Sequence, residues 1–113
     1  PCWEVSEVLR HPFLYNGTDD LLARALLDKR ECASLIHVVV GNLAVSIDLV
    51  VEASRLILAN PKDGYSLYLI LSRFRVMKNT TQDGLEDLPQ EAARQLAAMV
   101  HRDPTSSIVS VGL

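Results

Sequence analysis

Apolar positions recur at helical spacing along most of the chain. Between Thr18 and Arg30 the stripe is Leu22, Ala25 and Leu26; Asp19 and Asp20 stand at the end where a helix favours negative charge, and Lys29 and Arg30 at the end that favours positive charge. Thr18 is the expected cap, and Asp20 with Arg24 and Arg24 with Asp28 form i, i+4 pairs on the other side. The pattern continues from Glu31 to Val40 through Cys32, Leu35, Ile36, Val39 and Val40, and Gly41-Asn42 provides a stop.

Leu43 to Ala59 reads two ways, because Leu43, Val45, Ile47, Leu49 and Val51 alternate as a strand would. Asp48, Glu52 and Arg55 fall on one line of a helix, and the segment is long for a strand, which favours helix. The alternative is an α+β chain with a hairpin over residues 37–51 turning at Gly41-Asn42. Asn60-Pro61-Lys62-Asp63-Gly64 is a turn whose Asp-Gly pair suits left-handed geometry. Ser66 is then expected to cap a helix running to about Met77, with Leu67, Ile70, Leu71, Phe74 and Met77 inward and Arg73, Arg75 and Lys78 outward.

Asn79 to Asp87 is a polar linker, after which Asp87 opens a last helix with Pro89 in its first turn and Ala92, Leu96, Met99 and Val100 as its apolar stripe. A short helix over Glu4 to Arg10 turns Val5, Val8 and Leu9 inward and breaks at Pro12. The expected fold is all-α: five to six helices in an irregular antiparallel bundle or a helical-repeat-like stack. Residues 1–104 form a single helical domain, and 105–113 an extended C-terminal tail.

Leu35 to Ala53 is apolar enough to be weighed as a membrane span, but it holds His37, Asn42, Ser46, Asp48 and Glu52. A mid-span Asp alone costs about 2.5–3.5 kcal/mol, so the stretch is read as buried core and no membrane span is expected. Eleven Lys and Arg against fourteen Asp and Glu give a net charge of −3. No overall basic field exists to attract nucleic acid, which is not expected as a partner.

Val40-Gly41-Asn42-Leu43-Ala44-Val45, followed by Leu49-Val50-Val51-Glu52-Ala53 and Leu56-Ile57-Leu58, resembles the core of an armadillo or HEAT-type repeat, where a small-residue turn separates two apolar helices. The resemblance covers about a fifth of the chain and implies a protein-binding solenoid. Glu7-Val8-Leu9-Arg10-His11-Pro12-Phe13-Leu14 looks like the last helix of a protein kinase catalytic domain, but the chain has no glycine-rich phosphate loop, H-R-D or D-F-G and so cannot itself be a kinase.

Candidate chemistry is sparse. Cys32 and His37 are the nearest nucleophile and base, yet an i, i+5 offset puts them on different sides of a helix, and Cys32 reads as a buried, inert thiol. The acidic pairs Asp19-Asp20 and Glu86-Asp87 read as helix-start charges. No metal-ligand spacing occurs, and neither cofactor nor metal is expected.

The expected role is therefore a non-enzymatic protein-interaction domain, a scaffold or adaptor within a larger protein or assembly. Its partner is a helix or an acidic peptide, contacted through Arg73, Arg75 and Lys78 and through the tail residues Val109, Val111 and Leu113. A self-associating structural module, a homodimer or coat subunit, is one alternative. Location is expected to be intracellular, cytoplasmic or nuclear. Cys2, Cys32 and the sequons at Asn16 and Asn79 carry the other alternative, a secreted helical ligand with one disulfide.

Overall fold

The computed structural model describes residues 1–11, 17–76 and 87–102. The protein is all-α. Its described elements are α1 (Cys2–Leu9), α2 (Thr18–Asp28), a 3-10 helix (Arg30–Leu35), α3 (His37–Gly41), α4 (Ile47–Ala59), α5 (Gly64–Val76) and α6 (Asp87–Arg102). Two compact units divide the chain, Pro1–Ile57 and Leu58–Leu113.

Residues 37–51 hold α3, a turn and the start of α4, which overturns the hairpin alternative. Val38, Val39, Val40, Leu49 and Val50 are all buried, so the apolar positions serve two helices packed into a core rather than one face of a ribbon. Among the described residues no helix is long and apolar enough to cross a membrane.

In the first unit, α2 starts at Thr18, as its charge pattern predicts, but the capping position belongs to Gly17, whose φ of 84° is in the left-handed region, and no side chain caps the helix. Thr18 is therefore not the cap. The buried face is also rotated from expectation: Asp19, Ala23 and Leu26 are buried, while Ala25 is exposed. Lys29 in an extended conformation (φ −109°, ψ 123°) separates α2 from the 3-10 helix, so the stripe continuing to Val40 is carried by two further, shorter elements. In α1, Leu9 is buried as predicted, but Val8 is exposed and Ser6 takes a buried place, its hydroxyl donating to the Trp3 carbonyl at 2.9 Å.

In the second unit, α5 buries Leu67, Ile70 and Phe74, the spacing read from the sequence. Its cap is Asp63 and not Ser66: the Ser66 amide donates to Asp63 Oδ1 at 2.9 Å, so the helix begins at Gly64, which has no left-handed φ. Asp63→Ala is expected to remove about 1 kcal/mol, read as a lower urea midpoint for the second unit, whereas Ser66→Ala should leave that capping bond intact. α6 begins at Asp87 and buries Leu88 and Ala92, and Gln95 Nε2 donates to the Leu58 carbonyl at 3.0 Å.

Candidate functional site

The predicted basic cluster is not a surface patch. Arg73 is 9% exposed, and burial pushes its guanidinium below its ordinary value. Arg75, two residues on and so roughly on the opposite side of α5, is exposed. Arg73 belongs to the packed face, where an arginine stem covers apolar surface, and its expected outward position is corrected accordingly. Lys78, Val109, Val111 and Leu113 lie outside the described residues.

The Cys32–His37 pair also falls away as a nucleophile and base. Cys32 is bonded to Cys2, with the two Cα atoms 5.5 Å apart, and is not the free buried thiol expected. A sulfur held in a disulfide offers no thiolate. Among the described residues no group of three or more His, Cys, Asp and Glu side chains gathers as a metal ion would require.

The acidic pair Asp19-Asp20 does work that its sequence position does not suggest. Asp19 is 2% exposed, and its Oδ2 accepts from Asn42 Nδ2 at 2.9 Å. The same amide donates to the Leu9 carbonyl at 3.0 Å, and Asn42 Oδ1 accepts from the Ala44 amide at 2.7 Å. One buried asparagine thus joins the end of α1, the first turn of α2 and the turn into α4. Asp20 Oδ1 accepts from the Ser46 amide at 2.9 Å, supplying from α2 the acceptor that the start of α4 needs.

One helical turn later on α2, Arg24 forks onto Glu52, with Nη1 to Oε2 at 2.8 Å and Nη2 to Oε1 at 2.9 Å, and also reaches Asp28 Oδ1 at 3.3 Å. Arg24 holds the Glu52 carboxyl below its ordinary 4.5, while Glu52 and Asp28 raise the Arg24 guanidinium. A carboxyl held low in the folded state stabilises above its unfolded value and loses that contribution as pH falls through the lower, folded one. Because the pair is solvent-exposed, Glu52→Gln should cost only about 0.2–1 kcal/mol at pH 7. Urea midpoints of the variant and the parent should draw together as pH falls below 4.5 and through the lower, folded value; a difference that stays undiminished down to full protonation of the carboxyl would contradict the ion pair.

Beside the disulfide lies a cleft of about 90 Å³, lined by Cys2 and Val5 of α1, Leu26 of α2, Lys29, and Glu31 and Cys32 of the 3-10 helix. It is mainly apolar. Elsewhere in the same unit Trp3, Leu21 and Leu43 are 60%, 75% and 62% exposed. Trp3 and Leu21 fall off the apolar stripes read from the sequence, and Leu43, which enters the strand alternation and the repeat resemblance, carries no signal there that it would be exposed.

No protein-family model, curated protein or solved structure matches the chain.

Proposed function

We propose that the chain is a non-enzymatic protein-interaction module whose contact surface is the apolar side chains of Pro1–Ile57. One observation carries the reading: Trp3, Leu21 and Leu43 stand mainly in water while Ser6, Asp19 and Asn42 occupy buried positions of the same unit. Burying a side chain of Leu or Val size is worth about 1.5–3 kcal/mol, which the folded chain alone forgoes and a complex would recover. Tryptophan is a favoured anchor at such contacts. With Arg73 buried, less supports an acidic peptide, and an apolar helix face becomes the favoured partner.

The Cys2–Cys32 bond favours a second reading of where this happens. Disulfides persist in oxidising compartments, which supports the secreted helical ligand over an intracellular scaffold.

A photo-crosslinking amino acid placed at Trp3 or Leu21, with exposed Asp48 and Ala97 as control positions, tests the proposal in medium and extract of the source cells. Adducts of discrete mass are expected at positions 3 and 21 only, suppressed by excess unmodified chain. An adduct of twice the chain mass would identify a second copy as the partner. Equal labelling at all four positions, or none at 3 and 21, would overturn the assignment.

A further inference from the structure

The disulfide joins the first turn of α1 to the 3-10 helix, two segments most of whose side chains face solvent although both lie against α2. In the 3-10 helix and its lead-in, Lys29, Arg30, Glu31, Ala33 and Ser34 are exposed; Cys32, 2% exposed, is the buried side chain of that helix. In the first half of α1, Trp3 and Glu4 are exposed, and Cys2 and Val5 are half-buried. A 3-10 helix has strained hydrogen bonds and an eight-residue α-helix is marginal by itself, so neither rim is stable on local grounds.

The second half of α1 is different. Ser6 and Leu9 are buried, and the Leu9 carbonyl is held by Asn42. The cleft lies between the two weakly held rims, with buried Leu26 on its wall.

We propose that the Cys2–Cys32 bond is a thiol-operated latch on this cleft. A dithiol reductant opens it, releasing the first turn of α1 and the 3-10 helix while Ser6 to Leu9 stay pinned through Asn42. One thiolate of the reductant attacks the sulfur of Cys2, the less buried of the two residues. A mixed disulfide forms there as the Cys2–Cys32 bond breaks, and the electron pair leaves on the Cys32 sulfur, which takes up a proton. The second thiol of the reductant then displaces Cys2. The reductant ends as a disulfide and the protein as two thiols, a balanced two-electron exchange. Release exposes Val5 and Leu26 to solvent.

Amide hydrogen exchange on the folded chain tests this, with and without a dithiol, followed by reoxidation. The reporters are Val5, whose amide donates to the Pro1 carbonyl at 2.9 Å, and residue 32, whose amide donates to the Lys29 carbonyl at 3.1 Å. Reduction is expected to speed exchange at both by at least about tenfold, reversibly, while Val39 and Val50 stay about a hundredfold slower than either. Cys2→Ser/Cys32→Ser should reproduce the reduced pattern; if that variant does not fold, the reduced wild-type chain decides. Some loss of protection at Val39 and Val50 follows from the lower stability of the unit, but exchange of Val5 at the same rate as Val39 and Val50 after reduction would make the bond a staple of the whole unit and overturn the latch. Unchanged exchange at Val5 and residue 32 would overturn it equally.

Discussion

Asn42→Ala is expected to destabilise the unit Pro1–Ile57 by about 3–5 kcal/mol, because it leaves several polar groups without partners at once and each orphaned buried group costs about 1–3 kcal/mol. Asp19 Oδ2 loses its partner, and Asp19 Oδ1 already accepts no hydrogen bond among the described residues. The Leu9 carbonyl and the Ala44 amide lose theirs in the same substitution. For comparison, Leu43→Ala, next door but exposed, should stay within about 0.5 kcal/mol. Exchange of the Val39 and Val50 amides in low urea reads the first unit separately from the second. Replacing both Asp19 and Asn42 by leucine removes the polar demand together with its satisfaction. That double variant is expected to lose much less than the two single changes summed. A single-variant loss below about 1 kcal/mol would mean that Asn42 does not hold the unit together.

Breaking the Cys2–Cys32 bond is expected to have the next largest effect. It closes a loop of sequence separation 30, and a cross-link over a loop of that size restricts the unfolded chain by about 3–4 kcal/mol. A unit of this size buries little core to offset such a loss. Thermal unfolding of Cys2→Ser/Cys32→Ser should show a lowered transition for the first unit and an unmoved one for the second. The order of the two effects is informative in itself. If the disulfide outweighs Asn42, unfolded-state restriction dominates this unit; if Asn42 outweighs it, the buried polar junction does.

The all-α character and most helix positions were legible in the pattern of side chains. Leu67, Ile70 and Phe74 mark the inner face of α5, and Asp87 with Pro89 marks the start of α6, because both signals are local and repeat within one helix. Where a residue's partner lies far along the chain, the reading failed. Asp19 looks like a helix-start charge, and only Asn42, 23 residues away, makes its burial tolerable. A charge on the buried face disguises the phase of α2: Ala23 is buried and Ala25 exposed, while Leu22 is half-buried and Leu26 buried. Asp63 and Ser66 both qualify as caps by type, and the tertiary course of the turn selects the earlier one. The charge of Arg73 argues for an outward position, yet its long aliphatic stem lets it lie along a packed face. Two cysteines permit a bond without requiring one, and whether they meet depends on how α1 and the 3-10 helix come together.

The reach of Asn42 also bears on the speed of folding and unfolding. Its two long-range partners stand 33 and 23 positions earlier in the chain, so the junction closes only after α1 and α2 have formed and been brought to the turn before α4. Contacts of such separation are entropically expensive to close early, and their native geometry is expected to appear on the downhill side of the folding barrier. Weakening a late contact leaves the forward rate nearly unchanged and accelerates escape from the native state. Asn42 would then set how long the first unit persists once folded, while the local pairing of α1 and α2 sets how quickly it arrives there.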